Sequence, residues 1–405
     1  MTNKMPIDDV ALPADIKVLN RFKILDLFTT GDRLTAFDIH QATGISKPTI
    51  MRALQFFCES GTIASVGLGS SSKAGGKRPE YFAFADNRKI LCIALWPESI
   101  TFALSGLVTD VYEIRTYPRK PHGSLEETFA VLAEKAMEYL DDNQLSIEDL
   151  YGIGLSTAGT VNYAQNILHY NSQDPDWGTD IPMEQYLQPI FGKEKVYVVE
   201  NAGKVCGRAI LTEQPELADR RVISIFSTWG ISACLIENGH VLSGKDSLIG
   251  EIGHMTIDTS DTRVCGCGKR GCLENKVNRF AVGDLLANCA EWKDRDISFT
   301  ELFNASREGD ATAREIVRMT AHYFAVVLHN LSLAYNPNIV IFQGDYALAD
   351  VYFDTCLKKE LAEFRYASSE DLLEIIYDHR PLHRLAAKGE AAMVKQHYFS
   401  TKEYM

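Results

Sequence analysis

The chain has 405 residues, 46% of them hydrophobic, with 54 Asp and Glu against 41 Lys and Arg for a net charge of −13. That length implies two or three domains at roughly 150 residues each, and the apolar content is ample for packed cores. No apolar run approaches the roughly 20 residues that span a bilayer, and the acidic, polar opening MTNKMPIDDV is no export signal, so a soluble cytoplasmic protein without a membrane partner is expected.

The charge is unevenly divided. Residues 1–89 hold 12 Lys and Arg against 9 Asp and Glu, and the remainder holds 29 against 45. A small basic head on an acidic body suits a DNA-reading module attached to a part with another task.

In the head, Ile16, Leu19, Phe22, Ile24, Leu25, Leu27 and Phe28 recur at three- and four-residue intervals and predict a helix that stops near Gly31. A second short helix starts after Thr35 as N-cap, turns Phe37, Ile39 and Ala42 inward, and breaks at Gly44. A third, Lys47 to Glu59, is capped by Ser46 and carries Pro48 in its first turn, where the missing N–H costs nothing. Helix, tight turn, helix is the helix-turn-helix pattern. Ile50, Ala53, Leu54 and Phe57 face the core, which leaves Ser46, Lys47, Thr49 and Arg52 to face DNA. Two strands, Thr62–Val66 and Glu80–Phe84, form a wing whose loop ends in Lys77 and Arg78, cations suited to phosphates. The competing reading is a trihelical cap with ordinary surface charges.

From Lys89 onward short apolar runs alternate with helices. Strands are expected at Ile90–Leu95, Thr101–Leu104, Val111–Tyr117, Tyr151–Leu155, Val196–Val199, Val222–Phe226, Ala233–Glu237 and Asn338–Phe342. Helices are expected at Ser124–Asp141 and Ala311–Tyr335. The pattern is that of α/β layers with mixed sheets, and no internal repeat is apparent.

Within the body, His254, Cys265, Cys267 and Cys272 place four metal-type donors within nineteen residues. One His and three Cys form a closed tetrahedral set that suits Zn2+. Gly266, Gly268 and Gly271 let the chain turn between them. A disulfide or ordinary buried thiols are the alternatives. Adjacent Cys-x-Cys pairs bridge poorly, however, and the other six cysteines are scattered singly, as in a reduced protein.

The runs GIGLSTAGTVN (152–162), VVENAG (198–203), GEIGHM (250–255) and CGCGKRGCLE (265–274) resemble the segments that mark the ROK family of sugar kinases and sugar-responsive repressors. The head resembles the winged helix of its NagC/Mlc/XylR-type repressor branch. The resemblance implies an actin/hexokinase-like pair of α/β lobes around a sugar cleft. It divides the chain into a winged helix-turn-helix domain (1–88), a first lobe (89–200, completed by a C-terminal helix over 385–405), and a second lobe (201–384) with the zinc site and a dimerisation surface. Asn201, Glu251, His254 and Glu274, with Gly159 beside them, match the family's sugar-binding positions. Taken alone, Asn201 reads as a turn residue, Glu251 as a helix-end charge, and Glu274 as the first-turn carboxylate of a helix.

Three positions depart from the kinase pattern. Ala202 stands where the kinases carry an Asp after the Asn, so the general base is missing. Bulky Trp96 and anionic Glu98 occupy the first phosphate turn, and Ser232, Ala233 and Cys234 the second. The expectation is a non-catalytic repressor of carbohydrate genes, dimeric or tetrameric, with operator DNA and a sugar effector as partners. A kinase with an atypical base and a metal sensor are the alternatives.

Overall fold

The computed structural model describes residues 13–69, 78–293, 298–364 and 373–400. The head runs α1 (Pro13–Asp26), β1 (Leu34–Thr35), α2 (Ala36–Thr43), α3 (Lys47–Glu59), β2 (Ile63–Leu68) and β3 (Glu80–Phe84). A reciprocal cap starts α2: Thr35 Oγ1 accepts from the Asp38 N–H at 3.2 Å, and Asp38 Oδ2 accepts from the Thr35 N–H at 2.8 Å. Gly44 at φ 70° ends it. Ser46 precedes α3 in extended backbone, but its hydroxyl makes no backbone cap and sits 2.9 Å from Thr49 Oγ1.

The buried stripe of α3 is the predicted one: Ile50, Ala53, Leu54 and Phe57. The reading of α2 needs correction. Only Ile39 is buried, while Ala42 is exposed and Phe37 is 54% exposed, lying under Lys47 with Nζ 5.3 Å from its ring centroid. Two turns of helix bury a single row of side chains, and packing against α1 and α3 selects the row of Ile39. β2 and β3 pair antiparallel, and β1 adds to β3, with Leu34 opposite Phe82. Lys77, at the tip of the expected wing, lies outside the described residues, and Arg78 is exposed.

The body opens with β4 (Lys89–Trp96), β5 (Ser99–Gly106), β6 (Val111–Pro118), α4 (Leu125–Asp142) and β7 (Leu150–Thr157). A small sheet of β8 (Thr160–Asn162), β9 (Ile167–Tyr170) and β10 (Ile181–Pro182) follows, then α5 (Met183–Phe191) and β11 (Val196–Asn201). After α6 (Ala202–Glu213) come β12 (Val222–Ser227), β13 (Ile231–Glu237), β14 (His240–Val241), α7 (Glu274–Val277), α8 (Arg279–Ala287), α9 (Phe299–Glu308) and α10 (Ala311–Ala334). The chain closes with β15 (Ile339–Gly344), α11 (Val351–Glu363), β16 (Glu374–Asp378) and α12 (Leu382–Ser400).

Two five-stranded sheets carry the body, in orders β11-β7-β4-β5-β6 and β14-β13-β12-β15-β16. In each, an antiparallel meander of three strands is extended by two strands parallel to its first. The same plan therefore occurs twice, a duplication that the amino-acid sequence does not display.

Between the sheets α6 and α12 cross in close contact. A side chain at Gly389 would put its Cβ 2.0 Å from the Val205 carbonyl oxygen, and one at Gly154 would meet the Glu390 carbonyl at 2.7 Å. One apolar cluster continues from Ile24, Phe28, Leu54 and Phe57 of the head through Cys92 of β4 to Val394 and Tyr398 of α12, so the head is docked on the body through the last helix.

At the centre of this packing Glu390 is 1% exposed and accepts a 2.6 Å hydrogen bond from the Ser156 hydroxyl. Burial pushes its carboxyl up to about 8. The unfolded chain releases this proton at an ordinary carboxyl pKa, whereas the folded chain holds it. The stability carried by the neutral form is therefore complete at pH 4, falls as pH rises, and is lost above about pH 8. Glu390→Gln keeps an acceptor for Ser156 and removes the titration. Between pH 5 and 8.5 the wild type will lose at most about 5 kcal/mol of stability that this variant keeps, read in thermal denaturation as a smaller fall in the variant's melting temperature.

Candidate functional site

Asn201 ends β11 and caps α6: its Oδ1 accepts from Gly203 N at 2.9 Å and Lys204 N at 3.2 Å, and its Nδ2 donates to the Gly159 carbonyl at 2.8 Å. Two acceptor bonds and one donor bond fix the amide and leave its second N–H for another acceptor. Gly159 has φ +98°, and a Cβ there would lie 2.2 Å from the Tyr170 carbonyl oxygen, so the position requires glycine. Glu274, 6% exposed at the start of α7, accepts from Ile231 N through Oε2 at 3.0 Å. Burial, reinforced by the negative charge of Glu251, raises Glu274 to about 7. Burial raises Glu251 as well, against the opposing pull of Lys204.

Gly159, Asn201, Glu251, His254 and Glu274 all line one cavity of about 190 Å³ between the two sheets. A fixed amide, two carboxyls of raised pKa and an imidazole offer donors and acceptors on a small scale, the chemistry that distinguishes neighbouring hydroxyls.

His254 closes a short turn, Ile252–His254, and its Nδ1 lies 3.6 Å from Cys265 Sγ. Cys267 and Cys272 are 3.7 Å apart at sulfur, and the four ligand atoms lie within 4.8 Å of one another. Metal–sulfur bonds of about 2.3 Å and metal–nitrogen bonds of about 2.0–2.1 Å give tetrahedral edges of about 3.8 Å between sulfurs and about 3.5 Å between sulfur and nitrogen. Both separations fit such a centre, and 3.7 Å is far too long for a disulfide. Burial lowers the His254 pKa, which keeps the ring in the neutral form that ligates, and raises Cys265 to about 11. Thiols so placed take on charge only against a cation.

With Nδ1 turned to the cysteines, Nε2 remains for the cavity. The cluster also touches the other lobe, since the Tyr170 hydroxyl donates to the Gly266 carbonyl at 2.9 Å and a Cβ at Gly266 would lie 2.9 Å from the Ser172 carbonyl.

The far end of the cavity is apolar. Trp96 and Phe226 meet edge to face with centroids 6.1 Å apart, and Leu382, Ala202 and Ala94 pack around them. Trp96 and Glu98 line the cavity on this side. An indole and a carboxylate thus line this side, and Arg279, which also lines the cavity, is held by Asp345 at 2.6 and 2.7 Å.

Two buried charges escape the sequence reading. Glu200, fully buried, accepts from Asn201 N at 2.8 Å, and burial raises its pKa. Lys204, 1% exposed, donates through Nζ to the Ser247 carbonyl at 2.9 Å, tying α6 to the loop that precedes Glu251. Nothing in the residue order of α6, which also carries Arg208, marks Lys204 as the buried one.

In the head, Ser46, Lys47 and Arg52 are exposed and Thr49 is half-buried. Arg52 Nε donates to the Pro48 carbonyl at 3.3 Å. Met51, 45% exposed, and Gln55 share this outer face of α3 and were not anticipated.

Fold and site together define a two-lobed protein with a cleft lined by an amide, carboxyls and an imidazole, a Cys/His cluster beside it and a winged helix-turn-helix head. The chain belongs to the ROK family, whose model matches residues 91–397, and the IclR helix-turn-helix domain model matches residues 18–66. It is 23% identical to the xylose repressor of Bacillus subtilis over 91% of this chain and 93% of that one. It is 25% identical to a glucokinase of Halalkalibacterium halodurans over 63% of this chain and 77% of that one. A crystal structure of a ROK family transcriptional regulator, a homologue of the E. coli MLC protein, superposes with a TM-score of 0.77 at 17% identity, covering 95% of this chain and 98% of that one. The glucokinase match leaves over a third of this chain uncovered, whereas both regulators match nearly all of it.

Proposed function

We propose that the protein is a sugar-responsive transcriptional repressor of carbohydrate genes, non-catalytic, dimeric and cytoplasmic, with one Zn2+ held by His254, Cys265, Cys267 and Cys272. The observation that carries this reading is the path of α12: Leu382 at its start lines the cleft, and Tyr398 near its end packs in the head's core. A ligand that favours one arrangement of the lobes can thereby bias the head. Asn201, Glu251, His254 and Glu274 bind the effector's hydroxyls, and Gly159 lets the ring approach the backbone. Ser46, Lys47, Thr49 and Arg52 contact the operator from α3, and Arg78, with Lys77, approaches a flanking groove. Dimerisation follows from the two half-sites that such heads read. Among the described residues no helix is long and apolar enough to cross a membrane. Assignment as repressor rather than kinase is supported by Ala202 and Trp96, and by similarity to xylose repressors over nearly the whole chain.

The test is operator selection from random duplex DNA with the purified full-length protein, followed by fluorescence-anisotropy titration with and without D-xylose, D-glucose and other sugars. One sugar will weaken operator binding about 5–150-fold. Lys47→Ala will weaken all sequences alike and lower the salt slope by about one, whereas Arg52→Ala will relax preference at one position for about 1–3 kcal/mol. Sugar-dependent release of ADP from ATP in the same preparation would overturn the reading.

A further inference from the structure

A second chamber, of about 310 Å³, adjoins the first cavity and shares Ser172, Gln173 and Glu274 with it as a common wall. Sites for drug-sized ligands run about 300–1,000 Å³. The first cavity falls below that range, and the two together fall inside it.

The chamber is built rather than incidental. On the first-lobe side its wall is the 172–177 turn, held by an ion pair of Asp174 with Arg119 at 3.1 Å, both nearly buried, and by a 2.9 Å bond from Trp177 Nε1 to the Gly123 carbonyl. On the second-lobe side Phe280 is 50% exposed, and its ring lies 4.7 Å from that of Trp229, which lines the first cavity. An aromatic surface thus continues from one chamber into the other. Asn275 lines the second chamber, and its Nδ2 is buried with no hydrogen-bond partner among the described residues, a cost of about 1–3 kcal/mol unless an acceptor meets it.

The charge of the chamber selects among occupants. Arg263, the Lys or Arg among the lining residues, is already paired with Asp284 at 3.5 Å, while Asp176 and Glu274 also line the space. A phosphate or carboxylate would face these carboxylates with Arg263 alone among the described lining Lys and Arg to offset them. An uncharged ring has an aromatic face to stack on and an amide to accept from.

We propose that the effector is a neutral two-ring glycoside, one ring on Asn201, Glu251, His254 and Glu274 and the second stacked on Phe280 with an oxygen on Asn275. This rests on the sugar-binding reading of the first cavity.

The test is isothermal titration of the full-length protein with maltose, cellobiose, lactose, sucrose and xylobiose, beside D-glucose, D-xylose and glucose 6-phosphate. At least one disaccharide will bind about ten-fold or more tightly than its constituent monosaccharides. Phe280→Ala will erase that margin, lowering disaccharide affinity about ten-fold more than monosaccharide affinity, and Phe280→Tyr will preserve it. A monosaccharide or glucose 6-phosphate that binds as tightly as every disaccharide, or a margin that survives Phe280→Ala, overturns the two-ring effector and leaves sugar sensing intact. Absence of binding by all eight sugars overturns both readings.

Discussion

Cys272→Ser will strip the protein of its metal, lower its melting temperature by roughly 10 °C, and weaken sugar binding at least about 100-fold while the head stays folded. The segment from Met255 to Cys272 has little regular structure: besides the isolated bridges Thr256 with Cys272 and Val264 with Arg270, it is held by scattered backbone bonds such as Ile257 N to the Gly271 carbonyl at 2.8 Å, and by Lys276 on Asp258 and Asp261 at 2.9 and 3.0 Å. Four donors closing on one ion would add the order these bonds do not supply, and where a site does not preform, metal affinity becomes folding energy. In a unit the size of the second lobe each kcal/mol shifts the midpoint by about 2–4 °C, so a loss of about 3–4 kcal/mol there corresponds to a shift on that scale. The loss spreads to the cleft because His254 belongs to both cluster and cavity, and because Gly266 holds Tyr170 of the opposite lobe. Cys289→Ser is the control, since Cys289 is half-buried just beyond α8, outside the donor set, and its thiol donates to the Leu285 carbonyl at 3.3 Å. Zinc content by mass spectrometry, melting curves and sugar titration are the readouts. Retention of a full equivalent of zinc by Cys272→Ser, or an unchanged melting temperature once the zinc is gone, would sink the structural role.

What the sequence discloses here follows from how local each determinant is. Thr35 with Asp38, and Gly44, act within one turn of helix, so the bounds of α2 are readable from the residues themselves. Which face α2 buries is decided by α1 and α3, and Phe37 and Ala42 therefore come out on the surface. The donor set of His254, Cys265, Cys267 and Cys272 is legible because spacing alone brings it together. Lys204 is not, since a lysine in an apolar helix reads as a surface residue until the Ser247 carbonyl is seen above it. The duplicated sheet plan lies in strand pairing, which leaves no trace in residue identity. The second chamber draws on segments near 122, 172–177, 263 and 275–280, and only folding brings those together.

Tyr398→Ala will leave sugar binding within about two-fold of wild type and abolish the effect of sugar on operator affinity. α12 has 19 residues, a length of about 28 Å at 1.5 Å per residue, enough to separate the cleft at Leu382 from the head at Tyr398. Tyr398 is 2% exposed, its ring lies 4.8 Å from that of Tyr151 and 5.9 Å from that of Phe84, and its hydroxyl donates to Asp86 Oδ2 at 3.0 Å. Phe84 belongs to the wing strand and Asp86 to the joint between head and body, so this side chain grips both sides of the connection. Truncating a buried aromatic costs about 3–5 kcal/mol, which exceeds the about 1–3 kcal/mol that couples two sites in a typical allosteric protein. A docking contact weakened by more than the coupling energy cannot transmit it. Tyr398→Phe keeps the ring packing and forfeits only the bond to a carboxylate, about 1.5–3 kcal/mol, so it will reduce the response without erasing it. The graded series, wild type, then Phe, then Ala, measured by operator anisotropy with and without sugar, separates transmission through α12 from a general loss of fold, which would lower sugar affinity in step. If Tyr398→Ala still releases DNA on sugar binding as the wild type does, the signal reaches the head by another route, and the tight α6–α12 crossing at Gly389 serves stability alone.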